Sequence, residues 1–457
     1  MVESELKSPL AGFGNFPVST ASIMRPERVR AVADIISGLP SGRSVVARGS
    51  GLAYGDAATN SGGLVLATGR LDKLLAFDSE RGLLRCQAGV PLADIAAVAL
   101  PRGWFLAVTP GTARATVGGC IACDVHGKNH HVAGSFGNHV RQITLLCADG
   151  TVLTCSPEER PDMFWASVGG MGMTGIILDA TLALRRVESS WIRQRNIVTR
   201  DLDDTLRVLS ETRDATYSVA WLDATADAEH RGRGVVMLGE HARPEHLTEE
   251  ARRDPLAAAK PRCARIPSAA PGILVGMPVA RLINRLIYRR YAGSDGIEKT
   301  VPASSFFYPL DAIENWNRLY GRRGFVEYQA VIPESRAPSL ISQMLAALAA
   351  ARQPSFFTAM KRMGKGNDAP LSFPAEGLAF SFDVPVASGP FELLRSFDDK
   401  VAEAGGRVYL AKDARARPEV MDAFYPRRRE WAGLVTRHDP NAKLSSDLAR
   451  RLQLRAA

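Results

Sequence analysis

No part of the 457-residue chain holds about twenty uninterrupted apolar residues, the length a membrane-spanning helix needs. The best candidate, "AAPGILVGMPVARLINRLIYRRY" (269–291), is broken by Pro271, Pro278 and Arg281; it can lie on a membrane but not span one. The opening "MVESELKSPLAGFGNF" lacks a basic stretch followed by an apolar one, so no secretory signal is read there. The expected location is cytoplasmic, with room for peripheral association at the inner face of the membrane. Cysteine is scarce: Cys86, Cys120, Cys123, Cys147, Cys155 and Cys263 are too few for a disulfide scaffold, and that compartment keeps thiols reduced.

Two nucleotide-binding signatures are also missing. There is no G-x-x-x-x-G-K-[ST] phosphate loop, and "GSGLAYG" (49–55) spaces its glycines as G-x-G-x-x-x-G, without a following βαβ unit and acidic residue. Lys plus Arg exceeds Asp plus Glu to give a net charge of +9, which favours anionic partners. The basic stretches "RRDPLAAAKPRCAR", "RLINRLIYRRY" and "YPRRREW" do not interleave aromatics with base-reading polar residues, so no nucleic-acid partner is expected. Solvated faces come first for them, and anionic lipid or a phosphorylated substrate second.

What the chain does contain is a globular composition, 46% hydrophobic and 23% charged, too long for one ordinary core. Residues 43–185 show short apolar runs between glycine turns, "SVVARG", "GLVLAT", "LLRCQAG", "ITLLCADGTVLTC" and "GIILDATLAL", with brief helices such as "PLADIAAVAL". From about 186, the strand-like "YSVAWLDATA", "VVMLGE", "FVEYQAVIP", "SFFTAMKRMG" and "LAFSFDVPV" alternate with helical segments at 338–352 and 389–405. The reading is α+β: a first domain of mixed strands and a second with a large antiparallel sheet covered by helices on one side. Residues 243–300 show no steady period and read as a mobile insertion. The amphipathic tail 445–454 has Ser445 or Ser446 as N-cap.

Two glycine-rich loops stand out, "ARGSGLAYGD" (47–56) and "PGTARATVGGC" (110–120); glycine lets backbone amides approach a bound pyrophosphate. The second runs into "GGCIACDVHGKNHHVAG" (118–134), where Cys120, Cys123, His126 and His130 take the spacing of an iron–sulfur or zinc run. A metal-binding interaction protein is therefore one open reading.

The loops together with "ADGTVLTCSPEERPDMFWASVGGMGMTGIIL" (148–178) resemble the FAD-binding domain of vanillyl-alcohol-oxidase-type flavoenzymes. The run "IACDVHGKNHHVAGSFGNHV" is similar to a branch of that family acting on lipid-linked sugars. The likeness continues through "YSVAWLDA", "YPLDAIENWNRLYG", "FVEYQAVIP", "NDAPLSFP", "GGRVYLAKDAR" and "SSDLARRL". It implies a two-domain enzyme: FAD-binding domain 1–190 with its core at 40–185, substrate domain 191–405 including the insertion, and a segment 406–457 returning to the flavin. It further implies FAD-dependent oxidation of a sugar secondary hydroxyl, most simply C2 of a polyprenyl-phosphoryl pentose. A separate NAD(P)H-dependent short-chain reductase would complete an epimerisation.

Carried over residue by residue, the resemblance places Ala47, Arg48, Gly49, Ser50, Gly51, Leu52, Ala53, Tyr54, Gly55, Asp56 and Ala57 around the FAD pyrophosphate, with Thr116, Val117, Gly118 and Gly119. Gly111, Cys123, Asp124, Val125, His126 and Ile177 line the rest of the cofactor, and Tyr409 arrives from the second half of the chain. The first loop has neither histidine nor cysteine, so the FAD is expected to be non-covalent. His126 and Lys412 are the catalytic candidates. His126 is the proposed base, on the ground that an ordinary imidazole titrates near neutrality, and Lys412 stabilises reduced flavin or sugar oxygens. Tyr54, Trp221, Glu327, Gln329, Lys361 and Ser381 line the substrate pocket, while Trp316, His139 and His438 are read as structural.

This chain departs from the family pattern at four places. Ala379 and Ser381 replace an asparagine and a cysteine, Glu327 replaces a glutamine, and the tyrosine before the proline of "FFYPLD" is read as shifted or lost to Phe307. These leave the redox chemistry in place and unsettle the identity of the sugar. A soluble sugar, a lactone or a nucleoside-like intermediate is the alternative substrate.

Overall fold

A computed structural model describes residues 6–257, 263–266 and 276–455. The chain opens with a four-stranded sheet in the order Leu6–Ala11, Val18–Met24, Leu64–Ala67, Val45–Arg48. Its first pair is antiparallel, and the strand Leu64–Ala67 lies parallel to both of its neighbours. Val32 and Ile36, one helical turn apart on Val29–Ser37, pack with Val45, Leu64 and Leu66 against Leu146, Ile176 and Leu178, joining this sheet to the next.

The second sheet runs Leu74–Asp78, Leu83–Gln87, Ile176–Arg186, Val140–Leu146, Val152–Cys155, with Trp104–Leu106 pairing to the far end of the long central strand. The expected turn at "ADGT" is present. Gly150 takes a left-handed φ of +90°, and Asp149 Oδ1 accepts from the Thr151 amide at 2.9 Å and its hydroxyl at 2.7 Å.

The third sheet is antiparallel throughout: Glu298–Pro302, Trp191–Thr199, Gly234–His241, Tyr217–Leu222, Thr358–Met363, Gly377–Pro385, Phe325–Ile332, Arg407–Val408. Period two sorts its residues between two faces. Tyr328, Phe380 and Phe382 join one buried cluster with Ile341, Leu345, Leu394 and Phe397 of the helices Ala337–Ala350 and Phe391–Glu403. The alternate residues Glu327, Gln329, Ala379, Ser381, Asp383, Ala359, Lys361 and Trp221 lie on the other face, next to one another through the pairs Glu327–Asp383, Gln329–Ser381, Ser381–Ala359, Ala379–Lys361 and Trp221–Ala359. That face turns toward the first half of the chain, since Gln329 reaches His126. Fold class is as expected, α+β in two domains.

Residues 243–300 are more regular than expected. Met277–Ala292 is a sixteen-residue helix, and Glu298–Pro302 joins the edge of the large sheet. Asn284, Tyr288 and Tyr291 are the residues missed as a period, because their inward seam is polar and aromatic where an apolar one was sought. Parts of the stretch, 258–262 and 267–275, lie outside the described residues.

The tail returns to the first loop. Ser446 caps Asp447–Arg451, and Arg451 bridges Asp56 at 2.7 Å and Asp413 at 2.9 Å. Among the described residues no helix is long and apolar enough to cross a membrane.

Candidate active site

The strand Val45–Arg48 ends in the first glycine loop, which lies directly against the start of the helix Val117–Ala122. A Cβ on Gly49 would stand 2.1 Å from Thr116 Oγ1, and the Ser50 hydroxyl donates to the Arg114 carbonyl at 2.7 Å. Gly51 sits at φ +67°, a conformation that suits glycine. Arg48 packs against the loop, its guanidinium 2.4 Å from where a Cβ on Gly51 would stand, and donates to the carbonyls of Ala11 and Ala58 at 2.7 and 3.1 Å. Among the described residues the amides of Ser50, Gly51, Leu52 and Ala53 meet no protein acceptor. The second loop differs: the amides of Val117, Gly118 and Gly119 donate to Val90 O, Ala88 O and Thr116 Oγ1.

The floor beyond these loops is made by "DVHGK". Gln329 Nε2 lies 2.8 Å from His126 Nε2, so the amide donates, the imidazole accepts, and the proton resides on Nδ1, which is buried without a partner. Tyr409 stacks on Phe373 with ring centres 4.6 Å apart, and its hydroxyl donates to the Cys123 carbonyl at 2.9 Å. Lys412, three residues on, pairs with Glu327 at 3.0 Å and stands 3.4 Å from the centre of the Tyr54 ring. Glu327, Lys361, Ser381, Trp221 and Lys412 stay partly exposed, forming an open polar wall across from His126.

Burial sets the protonation of this wall. It lowers Lys361 to about 8, with Lys412 adding to the effect and Glu327 opposing it. It also lowers Lys412, which Glu327 and Asp383 hold up. His126 is pulled well below the ordinary imidazole value by burial, then by Lys361, His130 and Lys412. The expectation of an imidazole titrating near neutrality is thus corrected: His126 is a neutral ring across the physiological range. Burial drives the Tyr54 and Tyr409 hydroxyls well up, and the Cys123 thiol to about 12, which keeps that sulfur unreactive.

Several expected residues sit at the loops but turn their side chains elsewhere. Asp124, at φ +39°, accepts from the Gly137 amide, Ser135, Asn367 and Ser372 at 2.5–2.9 Å, which staples its own loop to the segment 367–372. Asp56 is held by Arg451. Leu52, Ala53, Gly55, Ala57 and Ala47 complete the loop through backbone and packing; a Cβ on Gly55 would meet Asp413 O at 2.0 Å. Ile177 pairs with Leu145 inside the second sheet, Val125 O accepts from Phe136 N, and Gly111 is exposed at a loop tip. The lost tyrosine is a misreading: Tyr308 directly precedes Pro309, is buried, and lies 2.8 Å from Thr109 Oγ1, while Phe307 stacks on Phe105.

Cys120 is core, and His130 accepts from the Gly364 amide at 3.0 Å. Among the described residues no group of three or more His, Cys, Asp or Glu is placed to hold a metal, so the iron–sulfur spacing is not matched by a ligand cluster.

Two groups escaped the sequence reading. Asp383, two residues beyond Ser381 on the same strand face, accepts from Ser355 Oγ at 2.8 Å and Phe357 N at 3.0 Å, while its other oxygen is buried and unpartnered. Burial raises it to about 7. Lys128, two residues after His126, donates to Phe306 O with its ammonium 4.4 Å from the Phe306 ring, and burial lowers it to about 7. In both cases the signal was the spacing of two from a residue already chosen.

This arrangement, a glycine cradle with free amides opening on a buried floor and a charged sheet wall, is that of a flavin-dependent oxidoreductase. Residues 20–156 match the FAD binding domain family. The chain is 40% identical to decaprenylphosphoryl-beta-D-ribose oxidase of Mycolicibacterium smegmatis, over 97% of each chain. It is 36% identical to an uncharacterised Streptomyces coelicolor protein over 80% of this chain and 100% of that one, and 33% identical to mouse L-gulonolactone oxidase over 26% and 27%. The chain belongs to the decaprenylphosphoryl-beta-D-ribose oxidase family. Its cofactor is FAD, and the fit is direct: the unpaired amides of residues 50–53 suit phosphate oxygens, and the neutral His126 floor suits an uncharged ring system.

Proposed function

We propose that this chain oxidises the C2 hydroxyl of a polyprenyl-phosphoryl pentose, such as decaprenylphosphoryl ribose, to a ketone. The observation that carries this reading is likeness over 97% of both chains to an oxidase named for that substrate. Bound FAD supplies the acceptor for the hydride that leaves C2. The remaining work falls to the protein. The first loop holds the pyrophosphate through amides 50–53 and needs no covalent link, having no histidine or cysteine. Val117 to Gly119 contribute close approach, because their amides already have acceptors, and Thr116 caps the helix they open. Tyr409 and Cys123 border the flavin ring.

The hydroxyl proton must leave as the hydride does. His126 is neutral and therefore competent to accept it at Nε2, once the sugar hydroxyl displaces Gln329 as donor. Lys412 brings positive charge to the developing oxyanion and the reduced cofactor, positioned by Glu327 and the Tyr54 ring. Lys361, Trp221 and Ser381 orient the sugar. The resulting ketone is a substrate for a separate NAD(P)H-dependent short-chain reductase, and a lipid-linked substrate brings the enzyme to a membrane surface.

Anaerobic addition of a polyprenyl-phosphoryl ribose should bleach the oxidised flavin absorbance; an unchanged spectrum overturns the substrate. A soluble sugar or lactone is the second reading, favoured by Glu327, which occupies Lys412 with a carboxylate where the family pattern has an amide. Faster bleaching by free pentose or lactone than by the lipid-linked sugar would select it.

A further inference from the structure

The helix Met277–Ala292 carries its polarity inside out. Ala280, Asn284, Tyr288 and Tyr291 share its inward seam: Asn284 donates to Thr225 and the Ser355 carbonyl at 3.3 and 3.0 Å, and Tyr288 donates to Thr199 O at 3.2 Å. At about 100° per residue the opposite side holds Leu282, Leu286 and Ile283. These are 58%, 55% and 38% exposed. An ordinary surface helix does the reverse.

The charge on this helix is of one sign. Arg281, Arg285, Arg289 and Arg290 are all exposed, the helix has no acidic residue, and among the described residues none of the four makes a salt bridge. Arg281, Arg285 and Arg289 flank the apolar stripe on one side by the same angular count, where their stems can lie along it while the guanidinium groups reach outward.

Position adds the second argument. Ala280, at the start of the helix, is buried among Trp316, Tyr320, Phe325 and Phe356, and Tyr54 packs against that same cluster. Tyr54 is the ring beneath Lys412. The apolar stripe and the charged wall therefore share one aromatic partition.

We propose that the outer face of Met277–Ala292 is a docking surface for an anionic lipid bilayer. Leucine and isoleucine enter the acyl boundary and the arginines meet the headgroup phosphates, as in helices that lie in the membrane plane. The helix is not a span, since it is neither long nor apolar enough. Charge complementarity selects this occupant: four arginines without an acid match a dense anionic surface, and a second copy of the same helix would repel them. The inference extends the lipid-linked substrate reading, because docking here would set the aromatic partition of the pocket against the phase that holds the lipid tail.

The test is flotation of the FAD-loaded full chain with phosphatidylglycerol or phosphatidylcholine vesicles, without sugar. The expected result is flotation with the first and not the second, weakened by salt. Leu282→Glu/Leu286→Glu should stay at the bottom, while keeping its flavin and its turnover of a short-chain, water-soluble substrate. Should that variant lose its flavin, Arg285→Gln/Arg289→Gln provides the reading, with partition reduced about fivefold for each arginine. Wild-type protein left unfloated with phosphatidylglycerol, or either variant floating like wild type, overturns the proposal. So does self-association of the wild type without vesicles that Leu282→Glu/Leu286→Glu abolishes. Flavin bleaching by the sugar is a separate measurement, so failure of docking and failure of the substrate reading are distinguishable.

Discussion

Lys412 Nζ lies 3.0 Å from Glu327 Oε2, joining the returning C-terminal segment to the large sheet. Both side chains are mostly buried, at 20% and 13% exposure. Removing one partner of such a pair leaves the other charge poorly compensated. The same ammonium faces the Tyr54 ring from the first glycine loop, so three distant stretches of sequence converge on one cation.

Glu327→Gln should shift a titration. Glu327 holds the Lys412 proton on against burial, so its removal moves Lys412 further below the ordinary lysine range. If charged Lys412 stabilises the oxidation step, the alkaline limb of kcat/KM moves to lower pH in the variant. Profiles of both proteins from pH 6 to 10 measure it; a superimposable limb removes Lys412 from that role.

Lys412→Met should lower kcat by about 10²–10³, the typical effect of deleting one group that stabilises developing negative charge. Flavin content should hold, because no contact of Lys412 involves the amides 50–53. Stopped-flow flavin reduction in the variant reads the step directly. Lys361→Met, by contrast, should remove a titration near pH 8 from the profile, that group losing its charge as pH rises through about 8.

How much of this was legible in the sequence follows from distance along the chain. The strand "GLAFSFDVP" was legible as a strand from local pattern, and its period of two puts Ala379, Ser381 and Asp383 on one face. The glycine loops and the Asp149 turn are local too. Asp124 is different: nothing near it announces Asn367 and Ser372, more than two hundred positions away, and its four donors exist only in the fold. Asp56 and Arg451 repeat the lesson across the length of the chain. The lowered titration of His126 was equally out of reach, since burial and the approach of Lys361 and Lys412 cause it. The helix Met277–Ala292 was hidden by its inverted pattern.

Asp383→Asn should flatten part of the pH dependence of stability. In the folded protein burial raises this carboxyl from its ordinary 3.8 to about 7, so the folded state binds the proton more tightly than the unfolded one. Its contribution is therefore greatest in acid and lost as pH rises from about 4 to about 7, an effect of at most roughly 4 kcal/mol. Asparagine keeps the acceptor for Ser355 and Phe357 and cannot ionise. Unfolding midpoints at pH 5 and 8 should differ less in the variant than in the wild type; equal differences would mean that Asp383 does not titrate in this range.

Gly49→Ala tests the cradle. The added carbon would lie 2.1 Å from Thr116 Oγ1, and the clash is with a capping side chain that accepts from Gly119 N, so relief requires the two loops to separate. Separation carries the free amides of residues 50–53 away from the phosphates, and the FAD-to-protein ratio after purification should fall at least tenfold. Gly69→Ala, where the new carbon meets nothing within 4 Å, should leave the ratio unchanged. Adding Thr116→Ala to Gly49→Ala removes the nearest atom but not Cβ at 3.2 Å, so part of the flavin should return, less the loss of a helix cap worth about 1 kcal/mol. In every variant that retains flavin, acid precipitation should leave the yellow colour in the supernatant, because residues 47–57 offer no histidine or cysteine for a covalent bond. Colour retained in the pellet would place the attachment elsewhere in the chain, and flavin content indifferent to Gly49→Ala would remove the contact between the two loops from cofactor binding.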